Sequence, residues 1–450
     1  MLLNFTFKNY ASFRDVQQFS MEIPSKENGE QWKYPELSTV TALYGANASG
    51  KSSFLAALWF VSSFVRDGYA SGVGESVIPR RAFLLDQLSA TDTSEFLIEM
   101  HAGDGHRYIY EFAVTDTTVE YEELTAYYSR RPSLLFSRYL TANGETGIKF
   151  GPSFSGPKKQ LTALLRKNAL FLSVTATAGV AITAPVFREL AEGFGYYDAA
   201  AYRSELEQIK VMARKDPHVL AQMSQLIQYA DFGIDEIQVR ATGATSGSAG
   251  GQGVDPRLSF DGVPDEIMDY INTELKWSLN NELVFHHVSE DGGGWLSQAM
   301  ESDGTLAGLA FLSVALRTLK NGRVMLVDEI ERSLHPVLVK GLISLFTDIR
   351  TNPHQAQLIF TSHDVSLITS GCGGDGVLNR NQLWFTRKGK DGASSLCPVT
   401  AFSPRPDENL GKNYLNGVYE VLPVVGLRQS FAELMKEDGA QEEELSLIHI

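Results

Sequence analysis

Gly45-Ala46-Asn47-Ala48-Ser49-Gly50-Lys51-Ser52 decides how the rest of this chain is read. It follows a short apolar run, Val40–Tyr44, and precedes Ser53–Val65, where Phe54, Leu55, Leu58, Trp59 and Val61 recur at helical spacing. Strand, Gly-rich loop and helix form the context in which the pattern G-x-x-x-x-G-K-[ST] cradles phosphate. Glycines let several backbone N–H groups curl toward one anion at the positive end of the following helix. Lys51 would bridge the β- and γ-phosphates of ATP, and Ser52, followed by Ser53, would give an oxygen to Mg²⁺. The plainer alternative is a Gly-rich turn that caps a helix.

Downstream features narrow the choice. Val324-Met325-Leu326-Val327-Asp328-Glu329 is an apolar strand ending in two carboxylates. Asp328 is placed to hold Mg²⁺ through water, and Glu329 to polarise an attacking water as general base. A strand ending in acidic residues is common, and the pattern gains meaning from following the Lys51 loop. Ser302-Asp303-Gly304-Thr305 opens an apolar helix just upstream of that strand. In isolation it is an ordinary N-cap; in this place it is a second phosphate-facing surface. Ser333-Leu334-His335-Pro336 follows Glu329, and Thr361-Ser362-His363-Asp364 ends the next apolar strand, Gln357–Phe360. His363 there could hydrogen-bond a γ-phosphate and report its presence, although a lone histidine more often packs or faces solvent.

In this order, the motifs resemble the OLD/RecF-like ABC-type AAA family ATPases of bacterial defence loci, the RloA-like group. The resemblance extends to Asn9-Tyr10-Ala11-Ser12-Phe13, Asn168–Val174, Gln382-Leu383-Trp384-Phe385 and Asp407–Pro423, and is weakest between Val180 and Asn280. It implies an ABC-type P-loop head in which Ser302–Thr305 is the signature motif, reaching the γ-phosphate held by a second subunit. Lys51, Glu329 and His363 would then be the catalytic set. A homodimer or higher homo-oligomer closed around ATP follows, with a nuclease partner in trans, since no acidic Toprim pattern is visible after Asp364 in this sequence, unless the chain past about Glu444 contains one. Two departures concern the C-terminal surface: Asn381 stands where the family often has Asp, and Val418-Tyr419-Glu420 replaces a usual Arg/Lys-Tyr-Gly. The lid-loop glutamine is unassigned, with Gln87 a candidate.

Outward from the motifs, Leu2–Phe7 and Val16–Glu22 alternate like half-buried strands. Phe96–Met100, Tyr108–Val114, Thr118–Leu124 and Leu134–Phe136 read as an antiparallel meander, with turns at Gly103-Asp104-Gly105 and Asp116. Helical patterns dominate from about Lys158 to Tyr229, including Gln160–Leu170 and Ala200–Ala213. The expected class is α/β: an ABC-type P-loop NTPase head, its mixed sheet joined by the meander, interrupted by a mostly helical insertion. The expected divisions are an N-terminal lobe over 1–155, an insertion over 156–282 with a Gly/Ser-rich mobile loop at 241–253, a C-terminal lobe over 283–425, and a tail over 426–450. Leu445–Ile450 resembles the translation of a transposon end used in sequencing libraries, so the natural chain is expected to run past about Glu444. The alternative is a genuine apolar tail.

Composition excludes several classes. The net charge of −15 and pI near 5.1 argue against a surface that coats nucleic acid, which stays open as a local contact only. Arg80–Arg81, Lys158–Lys159 and Arg166–Lys167 read as solvated faces. The two cysteines, Cys372 and Cys397, have no metal-ligand spacing, and adjacent His286 and His287 would point to opposite faces of a strand. No run of 18 or more apolar residues and no signal peptide is visible, so a cytoplasmic location without membrane contact is expected. No Asn-Lys-x-Asp motif suggests a GTPase, and no coupling helix a transporter subunit. The preferred function is an ATP-hydrolysing sensor or scaffold in anti-phage defence that controls a nuclease. The alternatives are a RecF/SMC-like repair or recombination ATPase, which would need a basic face or long coiled coil, and a scaffold that holds ATP without turnover, against which Glu329 speaks.

Overall fold

The computed structural model describes residues 1–23, 36–71, 77–141, 143–198, 200–230, 233–242, 265–290, 292–371, 374–375, 377–405, 408–421 and 431. Residues 243–253 of the Gly/Ser-rich loop, Cys372, and the tail with its terminal hexapeptide, apart from residue 431, lie outside the described residues.

The chain opens with antiparallel β1 (Leu2–Lys8) and β2 (Gln17–Ser20), then β3 (Val40–Tyr44) and α1 (Lys51–Ser71). A short α2 (Gln87–Thr91) precedes β4 (Ser94–His101), β5 (Arg107–Val114), β6 (Val119–Tyr127), β7 (Ser133–Leu140) and β8 (Thr146–Phe150). Helices α3 (Lys158–Leu164), α4 (Phe171–Thr177) and α5 (Ala184–Glu192) lead to β9 (Phe194–Tyr197). Next come α6 (Ala201–Lys215), α7 (His218–Tyr229), β10 (Ile234–Ala241), α8 (Asp265–Leu279), β11 (Asn281–His287) and β12 (Gly294–Ser297). The C-terminal part holds α9 (Asp303–Asn321), β13 (Val324–Val327), α10 (Pro336–Thr347) and β14 (Gln357–Thr361). It ends with β15 (Ser370–Gly371), β16 (Gly374–Asp375), β17 (Leu383–Lys388), β18 (Ser394–Pro398) and α11 (Leu410–Leu415).

The six-stranded central sheet runs β18-β17-β3-β14-β13-β9, parallel except for β18 at one edge. Every residue of β3, β13 and β14 is buried, and these strands are mostly apolar without alternation, because both faces are covered. Within β3, Leu43 joins one core while Val40, Ala42 and Tyr44 join the other. The first core lies under α1, whose Phe54 packs against Phe5, Phe7 and Phe19 of the seven-stranded antiparallel sheet β2-β1-β4-β5-β6-β7-β8. On the other side α9 and α10 bury Leu309, Phe311, Ile343 and Phe346. A three-stranded sheet, β10-β11-β12, stands beside them. The expected class, a P-loop head with an antiparallel meander, is the observed architecture.

Several local readings change. In the mostly helical stretch, β9 pairs in parallel with β13 and so belongs to the central sheet. Strand β8, absent from the sequence reading, closes the meander beside β7. The continuous helix expected over Gln160–Leu170 stops at Leu164. The reason is a buried ion pair. Arg138 Nη1 lies 3.7 Å from Glu122 Oε2, and neither side chain is solvent-accessible. The guanidinium donates to the carbonyls of Arg166, Lys167 and Ala169, while Glu122 accepts from the N–H groups of Phe171 and Leu172 at the start of α4 and from Tyr110 Oη. These bonds satisfy an extended backbone that a continuous helix would have paired with itself. Arg80 is likewise not a solvated residue: its buried guanidinium bonds Asp116 and the carbonyl of Ala90, tying the segment before α2 to the meander.

Removing one partner of a buried pair leaves the other charge without compensation. Glu122→Ala is therefore expected to lower unfolding free energy by about 3–5 kcal/mol in urea titrations. Lys159→Ala on the exposed face should stay within about 0.5 kcal/mol.

Candidate functional site

The parallel strands β3, β14 and β13 end side by side, and the candidate residues cluster on the turns that leave them. After β3 the backbone curls through the Gly45–Gly50 loop into α1. A Cβ on Gly45 would lie 2.4 Å from the Thr386 carbonyl oxygen, and one on Gly50 2.7 Å from Ser394 Oγ. Both glycines are therefore set by close approach as well as by backbone freedom, with Gly50 at φ +114° and Ala48 at +59°. Ser49 Oγ bonds Thr386 Oγ1 at 2.5 Å, which fixes the loop's inner wall to β17. The Asn9–Phe13 segment reaches the same wall, since Ser394 Oγ donates to Ser12 Oγ at 2.8 Å. Ala46 is half-buried, while Asn47 and Ala48 form the exposed lip of the loop.

Lys51 folds back on this cradle. Its Nζ donates to the carbonyls of Gly45 at 3.0 Å and Ala46 at 3.1 Å, leaving one N–H for a phosphate oxygen. Burial holds its pKa below the ordinary value, opposed by the charges of Asp328, Glu329 and Glu331. Ser52 turns the other way, donating to Asp328 Oδ1 at 3.0 Å, with half-buried Ser53 beside it. The same Asp328 oxygen accepts from Thr361 Oγ1 at 2.7 Å. Thr361 Oγ1 in turn accepts from the Glu329 N–H at 2.7 Å. One hydroxyl thus fixes both carboxylate-bearing residues.

Glu329 sits at φ +54° and Ser333 at +61°, conformations that cost free energy for residues with a Cβ. The half-exposed Glu329 carboxylate has its Oε2 3.4 Å from Arg332 Nη1, three residues further along the turn. His363, at the exposed end of β14, has a pKa lowered by partial burial and then by the Lys51 ammonium. Lys51, Ser52, Asp328, Glu329 and His363 are therefore one site.

Ser302–Thr305 is elsewhere on the same surface. Ser302 caps α9 by accepting from the Thr305 N–H at 3.0 Å. Asp303 Oδ1 accepts from Tyr202 Oη at 3.3 Å, and a Cβ on Gly304 would lie 2.8 Å from the Ser333 carbonyl oxygen. Among the described residues none of these four bonds the Gly45–Ser52 loop. Between them and Glu329 lies a cavity of about 500 Å³ bordered by Asp198, Tyr202, Arg203 and Arg332. Gln87 opens α2 on the exposed surface, without a hydrogen bond to the loop among the described residues. His286 and His287 part as expected, bonding Asp235 and Glu301 respectively.

Sequence reasoning missed the roles of Thr361, Thr386, Ser394 and Glu331. Thr361 lay inside a quoted motif, which was its only signal. Beyond β18, Glu420 at φ +54° adopts a backbone that favours glycine, and Arg387 steadies it through Tyr419 O at 2.6 Å.

No curated protein sequence matches this chain. Two solved structures of the recombination mediator protein RecF in the RecFOR pathway, RecF-ATP and RecF-ATPrS, are each 14% identical to it. They cover 88% of this chain and 97% and 98% of their own, with TM-scores of 0.34 and 0.32. The model of one family runs from the first residue of β3 to just beyond His363, at residues 40–369. The chain belongs to that family, described as the AAA domain, putative AbiEii toxin, of type IV toxin–antitoxin systems.

Proposed function

We propose that this chain hydrolyses ATP at a site shared between two copies, and that the nucleotide state gates a partner. The observation that carries the proposal is the hydrogen-bonded set Ser52–Asp328–Thr361–Glu329 at the foot of the Lys51 cradle. The hydroxyl of Ser52 and the carboxylate of Asp328 are hard oxygen donors suited to Mg²⁺. Mg²⁺ held there would neutralise charge on the β- and γ-phosphates. Glu329, just beyond Asp328 and 3.4 Å from Arg332, would take a proton from a water in line with the γ-phosphate. Lys51 would hold the β- and γ-phosphates, and His363 would read whether the γ-phosphate is present.

The separation of Ser302–Thr305 from the Lys51 loop supports a second copy. The helix N-terminus and N-capping serine suit a phosphate contact, but the chain's own loop is not in reach through any described hydrogen bond. Two copies related by a twofold axis would bring each Ser302 face to the other's Lys51 face. The family description as a toxin of toxin–antitoxin systems supports a role governed by a partner. The finer reading is an OLD/RloA-like sensor and scaffold in anti-phage defence, with nucleic acid cut by a separate nuclease.

Glu329→Gln is expected to lower steady-state turnover by roughly 10²–10⁴ while ATP stays bound. Phosphate release and equilibrium nucleotide binding on the same preparation check this, and unchanged hydrolysis would remove Glu329 from the base role. Lys51→Ala should instead lose tight ATP binding in the equilibrium assay. For the division of labour, the purified chain with ATP and Mg²⁺ is expected to leave plasmid DNA and total RNA intact on gels; cleavage by the chain alone would contradict it.

A further inference from the structure

The segment after β13 carries a carboxylate that the proposed chemistry does not use. The β13–β14 pairing ends at Val327 and Phe360, yet the two chains stay together beyond it. Ile330 N–H donates to the Thr361 carbonyl at 3.1 Å, and Ile330 is buried. One step further, the His363 N–H finds no backbone acceptor across the gap. It donates instead to Glu331 Oε1 at 2.7 Å. A side chain thus takes over the rung where the ladder ends.

The other oxygen of that carboxylate is unusual. Glu331 Oε2 is buried and has no hydrogen-bond partner among the described residues. Buried carboxylates kept for structure alone satisfy both oxygens, as Glu122 does with two backbone N–H groups and a tyrosine hydroxyl. The charge of Glu331 also acts on both Lys51 and His363. Arg332, its neighbour, turns to Glu329 instead. From the other side Tyr44 Oη donates to the Asp364 carbonyl at 2.8 Å, so the backbone around His363 is gripped before and after the imidazole.

We infer that Glu331 is a positioning residue that sets His363 for reading the γ-phosphate, by holding its backbone N–H at the end of β14. The inference rests on the proposed role of His363 and adds the residue that makes it work. With the anchor cut, the imidazole swings with its backbone, and the part of the preference for ATP over ADP that His363 supplies is lost. Binding of the parts common to both nucleotides, held by the Gly45–Ser52 loop, does not depend on this anchor.

The test is calorimetric titration of ATP and of ADP, with Mg²⁺, into the full chain carrying Glu329→Gln to suppress turnover. On this background ATP should bind more tightly than ADP by about tenfold or more, the usual size of such a coupling. Glu331→Ala should cut the preference to within about threefold of that left by His363→Ala, and the double variant should fall no lower than His363→Ala, since the two act as a unit. Glu331→Gln keeps a carbonyl oxygen for the His363 N–H and should restore most of the preference. Glu331→Asp, one methylene shorter, should not, and this pair decides the matter if Glu331→Ala fails to fold. A preference retained in Glu331→Ala or Glu331→Asp but lost in His363→Ala overturns the positioning role and leaves the proposed function standing. A preference retained in His363→Ala overturns the reading of His363 itself, and the role of Glu331 with it.

Discussion

Asp328 accepts hydrogen bonds from Ser52 and Thr361 on a single carboxylate oxygen, and the rest of the site depends on that convergence. The three residues belong to α1, the end of β13 and the end of β14, which are far apart in sequence. Parallel pairing of β3, β14 and β13 brings their ends together, and burial of both sheet faces fixes the register. A one-residue slip of β13 would turn Asp328 into the core and a valine toward the phosphate loop. Two hydroxyls on one carboxylate are charge-assisted contacts, and they set the site's polar geometry before any nucleotide arrives.

Much of this was legible in the sequence. Val40–Tyr44, Val324–Val327 and Gln357–Phe360 read as strands of a covered sheet because their mostly apolar residues do not alternate with polar ones, and each is a strand of the central sheet. The Gly45–Ser52 loop and Asp328 fell in place because a motif of fixed spacing carries its own local structure. The two faces of β11 were legible from the period of a strand: adjacent histidines found separate carboxylates.

What was not legible depended on contacts between distant segments. Phe194-Gly195-Tyr196-Tyr197 is too short to signal a strand between helices, and only pairing with β13 makes it one. The helix expected through Leu170 yields to Arg138 and Glu122, whose ionic groups supply better partners to that backbone than it could supply to itself. Arg80 looked like a surface charge until the carbonyls around it were in view. Thr361 and Glu331 carried no separate signal, because each works through a residue about 30 positions away or on the neighbouring strand. In every case but β9 a polar side chain satisfies backbone that regular structure leaves unpaired.

The claim most exposed to test is that one copy supplies the Lys51 loop and another the Ser302 face. Mixing two inactive chains tests it directly: Lys51→Ala, with an intact Ser302 face, and Ser302→Glu, with an intact Lys51 loop but a carboxylate facing the phosphate. Each alone should lack ATP hydrolysis. An equal mixture should regain roughly a quarter of wild-type turnover per chain, since half of randomly paired dimers hold one complete site of two. A mixture as inactive as its components, or a Ser302→Glu chain active by itself, would contradict the account.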